Sequence, residues 1–327
     1  MLVVPAYAKV NLSLDIVGRR PDGWHDIASV IATVDWHDLV GVALGEPNRA
    51  TPEPAVASRA TQGPPVAGPP RDTHTAVRFH LQGDHAKDVP AGADNLAARA
   101  AALLPHLAGL PADALSIDVW LCKQLPAAAG LGGGSADAAA VLRAGQTLLA
   151  AEGAPIAAQT LAQAAAELGS DVPAVLAGGT LLATGRGEHL RVLPAPNLHL
   201  AIAVAGPSVT AAAYAALTDD ERHTQGRSTT LADALTQGKP IDEALLGSAL
   251  EAPACRAAPG LAASLARLRA LTPDHRWHLT GSGGAAFALA EDAATAASLA
   301  DHARSAGFPA RACRTVPTRL TADAKAP

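Results

Sequence analysis

The stretch LPAAAGLGGGSADAA, Leu125–Ala139, decides how the rest of the chain is read. A proline enters it, Gly130, Gly132, Gly133 and Gly134 crowd its centre, and an alanine-rich helical pattern follows. Glycine lets backbone N–H groups converge on a polyanion without Cβ crowding, and a helix beginning there adds unpaired amides and the positive end of its dipole. A phosphate is therefore expected near Gly132, Gly133, Gly134 and Ser135. The run lacks the Gly-Lys-Ser/Thr ending of a Walker A loop and the glycine spacing of a dinucleotide fingerprint. A plain tight turn needs fewer glycines than these.

Outward from the loop, Ser116 to Cys122 alternates as a strand feeding it, and Ala136 to Ala151 reads as the helix leaving it. Asp94 is the expected N-cap of a helix over Leu96 to Leu107. Further helices are expected over Gln159–Leu168, Val172–Leu176, Leu261–Leu271 and about Ala293–Ala306. Strands are expected at Ala6–Ile16, within Ile27–Val42, and at Thr180–Ala183 and Leu198–Val204. A second glycine turn, LTGSGGAAFAL (Leu279–Leu289), leads into another strand. Residues 45–73 are dense in Pro, Gly and Ala without periodicity and read as a mobile surface insertion. Neither repeats nor heptads appear, and helices mixed with strands without regular βαβ alternation favour an α+β fold.

The 327 residues leave room for two domains, and 49% hydrophobic with 17% charged content excludes a wholly disordered chain. A net charge of −5 argues against a nucleic-acid surface, so any phosphate contact is local. Cys122, Cys255 and Cys313 are far apart and suggest neither a zinc site nor a disulfide framework; a reducing cytoplasm fits best. No basic leader or lipid-like apolar stretch is evident, so a soluble protein without membrane attachment is expected.

Phosphate held in one place suggests transfer, which needs a group to orient or deprotonate the acceptor. Asp171, in LGSDVP, is the candidate, with a helix cap as the equally open alternative. Lys9 and Asn11 project from the polar side of the first strand, where a lysine sunk in a cleft would pair with a carboxylate. A solvated lysine remains the alternative.

Four segments, AYAKVNLSLDIVGRRPDGWHDI (Ala6–Ile27), the glycine loop, LGSDVPAVLAGG (Leu168–Gly179) and LTGSGGAAF (Leu279–Phe287), together resemble the GHMP small-molecule kinases. The resemblance implies a two-domain α+β fold with the active cleft between domains. Residues 1–180 would form the ATP-binding and catalytic domain and 181–327 the substrate domain. ATP is the implied phosphoryl donor, accompanied by Mg²⁺, whose ligands the resemblance leaves unknown. Lys9 and Asp171 fall on the family's catalytic pair, with Asn11 beside them on the substrate.

The nucleotide signature falls on Pro126, Ala127, Ala128, Ala129, Gly130, Leu131, Gly132, Gly133, Gly134 and Ser135, with Asn95 and Lys123 bordering adenosine. Ser135 is placed to reach the metal or a phosphate oxygen, whereas Asp137 reads as a charge at the helix start. Within the family the likeness is nearest to kinases of isoprenoid-precursor synthesis. Their acceptor is a cytidine-diphosphate-linked methylerythritol, phosphorylated on its carbon-2 hydroxyl. His25 would meet the pyrimidine, Trp24 stands where a tyrosine is usual, and Tyr214 would stack on the base. Gly281, Ser282 and Gly283 match the family's third glycine turn.

Three departures stand out: Ala127–Ala129 at the loop entry, GSALEAPA (Gly247–Ala254) in place of a more acidic form, and the 45–73 insertion. Rival readings are a sister kinase acting on mevalonate or homoserine, a binding-only nucleotide module, and an RNA-binding protein. GRRPDGWHD favours the cytidine acceptor, intact Lys9 and Asp171 oppose the second rival, and the acidic balance opposes the third.

Overall fold

The computed structural model describes residues 1–46, 75–207, 209–222 and 226–316. Its strands are β1 (Leu2–Arg19), β2 (His25–Gly45), β3 (Ala76–Gln82), β4 (Ser116–Cys122), β5 (Thr180–Gly185), β6 (His189–Leu193), β7 (His199–Val204), β8 (Gly247–Ser248), β9 (His278–Leu279), β10 (Ala285–Ala290) and β11 (Ala310–Arg314). The helices are α1 (Leu96–Leu107), α2 (Gly133–Ala151), α3 (Ala158–Leu168), α4 (Val172–Ala177), α5 (Thr210–Ala215), α6 (Arg227–Thr236), α7 (Glu251–Ala257), α8 (Pro259–Leu271) and α9 (Ala293–Ser305). The α+β architecture expected from the sequence is the one observed.

A seven-stranded sheet runs β3-β4-β2-β1-β8, with β5 on β2 and β6 on β5, and a four-stranded sheet runs β11-β7-β10-β9. β2 pairs with β1 along its length, and that length lets its other edge serve two further partners: Ile27–Ala32 pairs with β5, and Leu39–Gly45 pairs with β4. Alternation along β1 is visible in the register but not in exposure. Lys9, Asn11, Ser13 and Asp15 are as buried as Val10 and Leu12, because other elements cover the polar face too. Register shifts against β2 fall between Tyr7 and Lys9 and between Asn11 and Ser13. Such irregularities re-aim side chains, and here they bracket the two polar residues that matter most.

Three apolar clusters hold these layers together. The first packs α1, α2 and α3 on the large sheet around Leu104, Ile117, Val141 and Leu142. Its helices approach closely because α2 is built of alanine and glycine; a Cβ on Gly145 would stand 2.3 Å from Leu104 Cδ1. A second cluster joins the sheets, with Val10, Leu12 and Val30 against Leu200, Ile202 and Phe287. The alternate residues Ala201, Ala203, Ala286 and Ala288 face α8 and α9 in the third.

Two local expectations change. The cap of α1 is Asn95 rather than Asp94: Asn95 is extended (φ −73°, ψ 130°) and its side chain accepts from the Ala97 amide. Helix α2 starts at Gly133, three residues before the expected Ala136, because Gly132 takes a left-handed turn (φ 69°) that sets the helix in motion. Of the expected 45–73 insertion, Gly45 closes β2 and residues 47–73 lie outside the described residues.

Candidate active site

Lys9 enters the site from the irregular part of β1. Its Nζ donates to Asn11 Oδ1 at 2.9 Å and to the Gly130 carbonyl at 3.1 Å, and it lies 3.4 Å from Asp171 Oδ2. The Lys9 amide also donates to the Leu131 carbonyl, so one residue ties β1 to the glycine loop twice. Asn11 is itself fixed: its amide donates to Thr280 Oγ1 at 2.7 Å, and its Nδ2 donates to Ser29 Oγ at 2.8 Å. Residues 11, 130 and 171, dispersed in the chain, thus converge on the Lys9 ammonium, with Thr280 holding Asn11 from behind. The solvated-lysine alternative is not realised.

Asp171 stands at the N-cap position of α4, yet its side chain makes no capping hydrogen bond. Its carboxylate is 43% exposed, whereas the Lys9 side chain is 7% exposed. An ion pair with one buried member and one open to a cavity leaves the carboxylate available to a ligand. The capping alternative raised by the sequence is therefore not what the side chain does.

The glycines of the loop do two jobs. Gly132 must be left-handed, and a Cβ there would meet Lys9 Cγ at 3.0 Å; at Gly130 a Cβ would stand 2.2 Å from the Gly283 carbonyl oxygen. The first glycine turn is thus pressed against the second, Gly281–Gly284, where a Cβ on Gly284 would meet the Ala129 backbone at 2.5 Å. Gly133, Gly134 and Ser135 open α2, preceding the first helical amide bond from Ala136 to the Gly132 carbonyl. These are the amides available to an anion.

Beneath the loop lies a buried group that the sequence left half read. Lys123 Nζ donates to Asp38 Oδ2 at 2.5 Å and to Asp137 Oδ2 at 2.8 Å, with all three side chains at most 2% exposed. Asp38 Oδ1 accepts the amides of Gln124 and Leu125, which fixes the loop's entry. Asp137 is thus more than the helix-start charge expected of it. Lys123 and Asn95, both expected at the adenosine, are engaged internally. Asn95 caps α1 and donates to the Pro90 carbonyl at 2.8 Å.

Burial, followed by the like charge of Asp38, pushes the Asp137 carboxyl up to about 7 against the pull of Lys123. Lys123 is raised because its two carboxylates outweigh the cost of burial. An acid with a raised folded pKa stabilises the fold fully at low pH, below its ordinary value near 3.8, and loses that contribution as pH rises through about 7. Melting temperature is therefore expected to fall between about pH 4 and 7, and Asp137→Asn to flatten that slope. A variant with the slope unchanged would assign the dependence to other groups.

A cavity of about 820 Å³ opens from Lys9 and Asp171 toward Trp24, His25 and Tyr214, with Gly281 and Ser282 in its wall. His25 and Tyr214 have ring centroids 5.3 Å apart at 30°. Burial, then Arg19 and Arg222, lowers the His25 pKa, which favours a neutral imidazole, and its Nε2 is buried without a partner among the described residues. Tyr214 is pushed up to about 12 by burial and then by the charge of Asp171, so it is a neutral phenol. Trp24 is 56% exposed, with the Arg186 guanidinium carbon 4.1 Å from its ring centroid. Asp38, Ser29, Thr280, Arg186 and Arg222 all shape the site without having been singled out by sequence.

The family described as GHMP kinases N terminal domain matches residues 95–179. A 4-diphosphocytidyl-2-C-methyl-D-erythritol kinase of Moorella thermoacetica is 35% identical over 306 residues, covering 92% of this chain and 94% of that protein. A crystal structure of 4-(cytidine 5'-diphospho)-2C-methyl-D-erythritol kinase superposes with a TM-score of 0.72 at 31% identity, over 96% of this chain and 99% of that one. Homoserine kinase from Cytophaga hutchinsonii superposes with a TM-score of 0.65 at 17% identity, over 98% and 96%, a likeness of fold.

Proposed function

The chain belongs to the 4-diphosphocytidyl-2-C-methyl-D-erythritol kinase family of GHMP kinases, and from that premise we propose that it transfers the γ-phosphoryl group of ATP to the carbon-2 hydroxyl of 4-diphosphocytidyl-2-C-methyl-D-erythritol. One observation carries the catalytic part of this reading: Asp171 Oδ2 lies 3.4 Å from Lys9 Nζ, at the junction of the cavity and the glycine loop. Asp171 accepts the hydroxyl proton as the oxygen attacks phosphorus, and ADP leaves with the bonding electrons. Lys9 holds Asp171 in place and offsets negative charge at the transferring group. The amides of Gly133, Gly134 and Ser135 hold phosphate, while the chain from Pro126 to Gly132 sets their direction. Asn11 orients the acceptor.

Among the described residues no cluster of three His, Cys, Asp or Glu side chains could hold a metal. The two carboxylates beneath the loop, Asp38 and Asp137, are both buried on Lys123. That donor set fits a Mg²⁺ carried in on the nucleotide's phosphates, with the Ser135 hydroxyl placed to reach it. When bound, the ion neutralises triphosphate charge. The nucleotide role is assigned to residues 1–180 and the base-stacking Tyr214 to 181–327, with Trp24 and His25 on the pyrimidine. No helix of the described residues is long and apolar enough to cross a membrane, and the three thiols are free, which suits a cytoplasmic setting.

Incubation with ATP and each of three acceptors tests the reading directly. ADP is expected with 4-diphosphocytidyl-2-C-methyl-D-erythritol; turnover of mevalonate or homoserine alone rejects it. Tyr214→Ala is expected to raise the acceptor KM about 5- to 150-fold with little change in kcat, the loss of roughly 1–3 kcal/mol of base stacking. An unchanged KM returns Tyr214 to the packing of Leu14 and Leu217.

A further inference from the structure

The cavity carries more positive charge than the catalytic pair uses. Lys9, Arg19, Arg186 and Arg222 line it against one carboxylate, Asp171, in a chain whose net charge is −5. Arg19 ends β1, Arg186 sits in the turn between β5 and β6, and Arg222 ends the short helical turn Asp220–Arg222. Among the described residues neither Arg19 nor Arg186 has a carboxylate partner; Arg186 only lies over Trp24. Arg222 pairs with Asp219 and donates to the Leu217 carbonyl, but its Nε is buried and unpartnered.

A buried guanidinium N–H without an acceptor is costly, and three guanidinium groups around one cavity form a strong site for phosphate oxygens. Their placement narrows the ligand. Arg19 and Arg222 both act electrostatically on His25, and Arg186 covers its neighbour Trp24, so the charge gathers around the aromatic end of the cavity. ATP's phosphates are assigned to the glycine loop, beyond Lys9. An anion attached to an aromatic base would put its phosphates here while its other end reached Asp171.

We infer that Arg19, Arg186 and Arg222 hold the diphosphate of the acceptor, so that selection among acceptors depends on this charge as well as on the base. The inference rests on the acceptor reading above and assigns it three residues outside the catalytic pair and the aromatic contacts. Arg186 would contribute twice, by pairing with phosphate and by steadying Trp24 through its cation–π contact.

Titration calorimetry with the full chain, its nucleotide site saturated by a non-hydrolysable ATP analogue, separates charge from base. Cytidine 5'-diphosphate is expected to bind at least about 30-fold more tightly than cytidine, with a steep salt dependence for the former alone. Arg19→Gln and Arg222→Gln should each weaken the diphosphate about tenfold, leaving cytidine affinity, ATP KM and melting temperature near their starting values, whereas Arg186→Gln should weaken the diphosphate about tenfold and cytidine by less, through its contact with Trp24. Arg→Lys at each site should recover part of the loss. Equal affinity for the two probes, or Arg19→Gln and Arg222→Gln weakening both alike, overturns the inference while the acceptor reading stands. Binding of neither probe to the unaltered chain removes the acceptor reading and the inference with it.

Discussion

Asp171→Asn is expected to lower kcat by about 10²-fold or more while leaving the KM for ATP close to its starting value, as follows from removing a proton acceptor and keeping its shape. Asparagine fills the same volume and can still accept from Lys9 Nζ through its amide oxygen. What it cannot do is take the proton of the attacking hydroxyl. The 3.4 Å separation between Lys9 and Asp171 and the open face of the carboxylate make this a clean substitution. Lys9 has no comparable substitute, because its Nζ also serves Asn11 and the Gly130 carbonyl, and removing it strands both. Single-turnover phosphorylation measured with saturating ATP checks the result. A rate within tenfold of the unaltered protein would remove Asp171 from proton transfer.

The parts of this site that were legible in sequence share one property: their signal is local. The glycine loop reveals itself because four glycines cannot be explained by a single turn, and α1 and β4 were placed with their observed bounds because periodicity and flanking turns agree. Lys9 stands out because alternation makes a lysine anomalous on β1. Alternation gave a face, but the sequence could not say that other elements would bury that face.

Long-range partners were invisible for the same reason. Asp38 sits in WHDLV as one acid in a strand, and only folding brings it to Lys123, 85 residues away. Arg186 and Arg222 occupy turns whose composition announces exposure, yet the cavity reaches them. Strand β3 had a usable signal in Val77, Phe79 and Leu81, lost beside the long irregular stretch before it. Helices α5 to α7 are short and alanine-rich or polar, so their apolar period is weak. Asn95 outcompeted Asp94 as a cap because the choice turns on one backbone dihedral, which neither residue's chemistry fixes.

Lys123→Met carries the largest expected effect on the fold. The substitution keeps length and removes the one cation between Asp38 and Asp137, leaving two carboxylates facing each other in the interior. Breaking a buried pair from one side costs about 3–5 kcal/mol, because the remaining charge is stranded. Protonation of Asp137 relieves part of this cost, so the variant should be least stable at high pH and recover as pH falls. The damage should also reach the loop: Asp38 orients the Gln124 and Leu125 amides, and Asp137 stands in the first turns of α2, so ATP affinity should drop with stability. Adding Asp137→Leu to Lys123→Met removes one stranded charge and should return a measurable share of the stability, since an apolar replacement can substitute for a buried ion pair. Denaturant unfolding of the single and double variants decides the matter. If Lys123→Met unfolds like the unaltered chain but loses ATP affinity alone, Lys123 acts at the adenosine, and its burial between two acids is incidental to stability.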